Sequence, residues 1–250
     1  MRKDNLILHC NSHAKDAMVV EDEGDTLYVN NDNDVRLDRT SVQTLSNWLT
    51  EWLERTEQTM YKLSKDQQVA YHIEKLLTLI EGSDRLREGL VETPERVMKA
   101  YHTWFGGYSI NPCDILKVFE DGGEQYDQMV VRKDIPLYSH CEHHMAPIFG
   151  HCTIAYIPNG RIVGLSKLDR LVDVFARRLQ VQERLTHQIG QALQEALNPL
   201  GVGVYINARH MCVESRGVKH ANSSTVTQAL FGEFKTDPTV RAEFLELARS

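Results

Sequence analysis

Between Tyr138 and Pro147 the chain reads YSHCEHHMAP, which sets His140, Cys141, Glu142, His143 and His144 side by side. A core segment does not tolerate such a run, and it holds more metal-binding and proton-carrying groups than one site uses. Cys141 and His144 form a C-x2-H pair, a spacing that lets two side chains from one tight turn reach a single ion. Cys212, in ARHMCV and expected on a separate strand, is the third candidate ligand. Two thiolates and one imidazole suit Zn²⁺ better than magnesium or calcium. His140, His143, His210 and Cys152 compete for a fourth place. Four protein ligands would make the site structural, whereas three plus a water is the catalytic arrangement, and spacing leaves both open. His143 adjoins His144, and His210 lies two residues before Cys212, on the same face if both belong to a strand. Imidazoles so placed are candidate acid/base groups, with an ordinary pKa of ~6.5 suited to neutral pH.

Cationic residues surround this pattern in sequence. GLSKLDRL puts Lys167 and Arg170 three apart on the first turn of an expected helix, where free backbone N–H groups favour anions. Arg216 follows Cys212 by four positions, and Arg96 lies in the first turn after ETPE. Singly, each reads as part of a salt-bridged surface. Together with a zinc site they suggest a polyphosphate held beside a metal-activated water. QVQERL adds Gln182 and Glu183, an amide and a carboxylate able to pair with the N–H edge of a guanine; an exposed helix start explains them equally well.

The elements that must carry these residues follow from periodicity. Residues 1–40 suggest three short strands, NLILH, AMVVE and TLYVN, separated by the turn segments DEGD and NNDND. SVQTLSNWLTEWLERTEQTMYKL has helical spacing with Thr40 or Ser41 as N-cap, its Trp48 and Trp52 read as packing residues, and SKDQQ follows as a polar joint. Residues 1–64 thus form an appended strand–helix module and 65–250 the main domain. There, VAYHIEKLLTLI and ETPERVMKAYHTWFGG read as helices, the second with Thr93 at the N-cap, Pro94 at the first helical position and Gly106 past the end. QMVVRKDIPLYS reads as a strand, and IFGHCTIAYIPNGRIVGL as a hairpin turning at Asn159-Gly160. SKLDRLVDVFARRL, with a capping box from Ser166 to Asp169, and QERLTHQIGQALQEAL read as consecutive helices. GVGVYINARHMCV and TVTQALFGEF return to strand, and a helix capped by Asp237 closes the chain. Strands interleaved with paired helices give an α+β fold with an antiparallel sheet.

Composition sets the outer bounds. Of 250 residues, 42% are hydrophobic and 25% charged, enough to bury a core, and no apolar run reaches the ~20 residues of a membrane span. The polar N-terminus lacks a secretory pattern, and the five scattered cysteines suit a reducing compartment, so a cytoplasmic protein is expected. A net charge of −7 argues against a nucleic-acid surface but allows a small polyphosphate. The first 40 residues carry five Lys/Arg against nine Asp/Glu, so the acidic excess is concentrated there.

SHCEHHMAPIFG, GLSKLDRLVDVFARRLQVQERLT, HMCVESRGV and NSSTVTQALFG closely resemble, in order, the signature segments of the GTP cyclohydrolase I family. EGLVETPERVMKAYHTWFGGY resembles the helical region before them, so the likeness covers about residues 66–250. It implies the tunnelling fold, assembled as a toroidal homodecamer with sites at subunit interfaces. It also implies zinc on Cys141, His144 and Cys212, and a zinc-activated water attacking C8 of GTP. His143 and His210 would move protons as the ring opens and formate leaves. Ser166 would handle the ribose during rearrangement to 7,8-dihydroneopterin triphosphate, which leads towards folate, a pterin cofactor or a deazapurine. Lys167, Arg170 and Arg216 would grip the triphosphate with Arg96 of a neighbouring subunit, and Gln182 and Glu183 would read guanine. His140, and the ESRGVKHANSS segment, depart from the commoner family pattern.

Two other functions compete. A catalytically silent zinc-binding relative, acting as scaffold or regulatory nucleotide-binding protein, would have no need of His143, His210, Lys167, Arg170 and Arg216 together. A zinc nucleobase deaminase needs H-x-E together with P-C-x-x-C, and the chain has no P-C-x-x-C.

Overall fold

The computed structural model describes residues 5–9, 17–22, 27–30, 39–120, 123 and 126–250. They belong to two compact units, 1–98 and 99–250.

In the first unit the three expected strands form: β1 (Asn5–His9), β2 (Ala17–Asp22) and β3 (Leu27–Asn30), an antiparallel sheet in chain order. Their DEGD and NNDND turns lie largely, and the Trp52 side chain wholly, outside the described residues. Helix α1 (Arg39–Lys62) begins one residue before the expected caps. The polar joint after it is a helix start. Ser64 caps α2 (Lys65–Glu81), accepting from the Gln67 N–H at 3.2 Å, while the Gln67 side chain accepts from the Ser64 N–H at 2.9 Å. That reciprocal capping box satisfies two donors that a helix end leaves over. Helix α3 (Thr93–Trp104) carries Thr93 as its first residue, and Gly106 opens a short 3₁₀ turn rather than ending the helix.

The second unit is organised around a five-stranded sheet. After β4 (Val118–Phe119) come β5 (Val130–Cys141) and β6 (Pro147–Ile157), then β7 (Ile162–Val163), α4 (Leu165–Ala176), β8 (Leu179–Gln180) and α5 (Gln182–Leu197). The chain ends with β9 (Gly201–His210), α6 (Met211–Glu214), β10 (Thr225–Gly232), α7 (Glu233–Thr236) and α8 (Pro238–Arg249). The strand order is β10-β9-β6-β5-β8, antiparallel except where the short β8 runs parallel to β5. The fold is therefore α+β.

Alternation along β6 divides two cores. Cys152, Ile154 and Tyr156 join Leu168, Leu171, Leu185 and Ile189 of α4 and α5 on one face. Ala155 and Ile157 join Phe234 and Phe244 of α7 and α8 on the other. Side chains two apart share a face, so a strand buried on both sides is apolar without a break. At Gly203, in β9, a Cβ would meet the Phe234 ring at 2.8 Å, which explains a residue with no side chain inside that strand.

Three expectations fail locally. The Asn159-Gly160 turn forms, with Gly160 at φ +73°, but no hairpin follows it, because β7 pairs with β4. The groups a hairpin would use are taken: the Ile157 carbonyl accepts from Leu200 at 2.9 Å, and the Val163 N–H donates to the buried Tyr156 hydroxyl at 3.3 Å. Ser166 makes no capping box either, since Gly164 is the cap and Asp169 instead takes Arg132 in a two-pronged pair at 2.9 and 2.8 Å. Finally, β9 stops at His210, and Cys212 sits on the single turn of α6. At the C-terminus Asp237 caps α8 as expected, accepting from Thr239 at 2.7 Å.

Candidate metal centre and its surroundings

The topology brings three segments to one end of the sheet. β5 ends at Cys141, the turn that follows leads back into β6, and Ile148 of β6 stands opposite His210 at the end of β9. β8 runs alongside β5, with Cys141 opposite Gln180, and so delivers the start of α5 to the same end. The turn itself is closed by two hydrogen bonds, Cys141 N–H to Ala146 O and Met145 N–H to Cys141 O, both 2.8 Å. Met145 takes φ +52°, a left-handed step that lets so short a segment reverse.

Within this turn and α6, ligand atoms of Cys141, His144 and Cys212 all lie within 4.8 Å of one another. Cys141 is buried, Cys212 half-buried and His144 exposed. Burial, and then the Cys141 thiol beside it, pushes the Cys212 thiol above its ordinary range, while Arg216 pulls the other way. A thiol that resists losing its proton, crowded by a second sulfur and an imidazole, is what a divalent cation relieves when it replaces that proton. The donor set fits zinc.

The rivals for a fourth place separate. Cys152 is fully buried in the core, with its thiol pushed far up by that burial. The His140 ring lies against Trp104 and Phe105, at centroid distances of 5.0 and 5.2 Å, and burial lowers its pKa. His143 places Nδ1 3.6 Å from Cys141 Sγ, yet stays outside the group of three. Its side chain is 62% exposed, with Nε2 3.9 Å from Glu142. His210 is half-buried, its pKa lowered by desolvation against an upward pull from Glu183.

Two carboxylate–arginine pairs brace the walls, and sequence reasoning passed over both. Glu142 pairs with Arg184, which also donates to Gln180 Oε1 at 3.1 Å, and the guanidinium holds the Glu142 carboxyl below its usual range. Glu214 pairs with Arg209 at 2.8 Å and accepts the Asn222 N–H at 3.1 Å, tying the segment that carries Arg216 back to β9. Neither pair has a sequence spacing that announces it, the first joining residues 42 apart.

The remaining candidates fall into three sets. Glu183 is exposed at the start of α5, within electrostatic reach of His210. Gln182, next to it, is 1% exposed, with its amide N–H groups committed to Ile206 O, Thr225 O and Thr227 Oγ1. It is a buried side chain and not part of an exposed helix start. Ser166 and Lys167 lie on the first turn of α4 and Arg170 on the second, and among the described residues no hydrogen bond or ion pair joins them to the thiol group. Arg96 belongs to the other unit, where it pairs with Glu92. Lys167, Arg170 and Arg216 have no carboxylate partner among the described residues, unlike Arg132, Arg177, Arg184 and Arg209.

The family pattern described as GTP cyclohydrolase I matches residues 69–249. The chain is 59% identical over 175 residues to a GTP cyclohydrolase 1 of Janthinobacterium sp. (strain Marseille), covering 70% of this chain and 88% of the relative. Over 169 residues it is 59% identical to that of Nitrosospira multiformis, covering 68% and 88%. Against that of Leptospira biflexa serovar Patoc it is 54% identical over 180 residues, covering 71% and 96%. A match of this length, running through the turn, the two helices and both site-bearing strands, means that the chain belongs to the GTP cyclohydrolase I family.

Proposed function

We propose that this chain hydrolytically opens the imidazole ring of GTP, releases formate and returns the rearranged product as 7,8-dihydroneopterin triphosphate. The observation that carries this reading is the convergence of Cys141, His144 and Cys212 at the sheet end where His143 and His210 also stand. Cys141, His144 and Cys212 would hold zinc, which when bound supplies a Lewis acid that makes water nucleophilic near neutral pH.

The chain's own residues supply the rest. His143, exposed and beside the Cys141 sulfur, is placed to hand a proton to the departing ring nitrogen. His210, its pKa lowered by burial, serves as the second proton carrier. Ser166 handles the ribose. Lys167, Arg170 and Arg216, without carboxylate partners among the described residues, bind the triphosphate, with Arg96 contributed by a neighbouring subunit. The exposed Glu183 carboxylate reads the guanine N–H edge, whereas the Gln182 amide is buried and committed to β9 and β10, so the expectation that it also reads guanine is not kept.

The wider expectations belong to the same proposal: a tunnelling fold, a toroidal homodecamer, a cytoplasmic setting, and residues 1–64 as a module appended to a 65–250 catalytic domain. No described helix is long and apolar enough to cross a membrane. A silent scaffold is less well supported, because it gives no reason for two further imidazoles, His143 and His210, at the sheet end that carries the thiols. Incubation of the zinc-loaded protein with GTP tests the reading. Formate and a pterin chromophore should appear together, and release of neither would end it.

A further inference from the structure

Gln182 is the first residue of α5, yet its side chain points inward and reaches two strands. Its Nε2 lies 3.2 Å from the Ile206 carbonyl of β9, and 2.9 and 3.0 Å from the Thr225 carbonyl and Thr227 hydroxyl of β10. Its Oε1 lies 2.7 Å from His210 Nε2.

The protons in this network can be assigned. Carbonyl oxygens only accept, so the end of the amide that faces Ile206 and Thr225 must be the NH₂ group. The Thr186 hydroxyl sits 2.6 Å from the Gln182 main-chain carbonyl, so its single proton is donated there. Thr186 Oγ1 is also 2.6 Å from Thr227 Oγ1, and it can only accept in that contact. Thr227 therefore donates to Thr186, and its oxygen is left to accept from Gln182. The two N–H bonds of the amide serve three acceptors, one bond being shared, and turning the amide over would set Oε1 against two carbonyl oxygens. Oε1 thus faces His210 as a pure acceptor, and His210 Nε2 must carry the hydrogen. In either charge state Nε2–H points at Gln182, and Nδ1 is the ring atom left over.

We propose that Gln182 is a positioning residue, whose buried amide fixes the ring tautomer and orientation of His210 so that Nδ1 is the atom offered to substrate. This rests on the reading that His210 takes part in ring opening, and it gives Gln182 a task other than contact with guanine. Burial suits that task, since a network anchored on α5, β9 and β10 cannot drift as an exposed side chain does.

The test is magic-angle-spinning NMR of the full chain labelled with ¹⁵N-histidine, zinc-free and zinc-loaded, with His210→Ala used only to assign the resonance. His210 should show a protonated Nε2 and a bare Nδ1 in the wild type. Gln182→Met should give mixed tautomers, with kcat for GTP lowered at least about tenfold, as a mis-set imidazole tautomer does. KM should stay within about twofold, the mark of an interaction that does not bind substrate. A wild-type ring protonated on Nδ1 alone overturns the proposal, and that measurement stands even if Gln182→Met does not fold. So does a Gln182→Met protein with an unchanged tautomer, or one whose KM rises while kcat is kept. The ring measurement needs no GTP, so it fails separately from the proposed reaction.

Discussion

The two walls of the metal centre are built in opposite ways. The turn wall, residues 141–146, is held by its own backbone: two 2.8 Å hydrogen bonds and one left-handed residue close it locally. The wall at the end of β9 is held by side chains from far away in sequence. Gln182 reaches His210 across 28 positions, and Glu214 grips both Arg209 and the Asn222 backbone. The first wall displays His143 and His144 to solvent, and the second half-buries His210. A local turn can present several reactive groups at little structural cost, whereas one oriented imidazole needs a polar network whose every member is satisfied.

Substitutions can break or sharpen that contrast. The largest effect is expected at the shared centre: Cys141→Ala should lose bound zinc and formate release together, read by metal analysis and a formate assay. Zinc retained in that variant would mean the three-residue donor set is misassigned. Next comes the exposed histidine. His143→Ala should keep its zinc and lose about 10²–10⁴-fold in kcat, the usual worth of a positioned acid or base. Loss of metal would place His143 among the ligands and the turn wall would no longer have a spare group.

A smaller change is expected from Arg216→Ala, tethered through Glu214: kcat/KM for GTP should fall about 10–100-fold, the scale of one charged hydrogen bond. Steady-state kinetics with GTP would show it, and an unchanged value would remove Arg216 from triphosphate binding. The smallest effects compare the braces. Glu214, with its side chain only 6% exposed, should lower the melting temperature when changed to Gln; Glu142, at 32%, should leave it unchanged. Equal shifts in thermal denaturation would erase the difference between the walls.

The same contrast explains what could be read without coordinates. Cys141, His144 and the neighbouring His143 were legible because a single turn sets their spacing, and a turn is local physics. Helix α5 and strand β9 were legible from periodicity, as was the Asp237 cap. The burial of Gln182 was not, since nothing in QVQERL says that Thr225 and Thr227, about forty residues on, will stand opposite it. SKLD looked like a capping box because the spacing is right, but Arg132 on β5 competes for Asp169 and wins with two hydrogen bonds. The hairpin at Asn159-Gly160 was misread for a related reason: turn chemistry fixes the reversal, not the partner the returning strand finds. His210 and Cys212 do not share a strand, because β9 gives way to a helical turn between them.

Cys152 has a use beyond packing. It sits in the central strand with no exposed surface, opposite Ile135 on one side and Ile206 on the other. Cys113, by contrast, lies in the open on a short 3₁₀ turn. An alkylating reagent added to the intact protein should therefore consume Cys113 at once and reach Cys152 only when the sheet itself parts. The slow modification is a built-in clock for global opening, timed by a sulfur that takes no part in the chemistry.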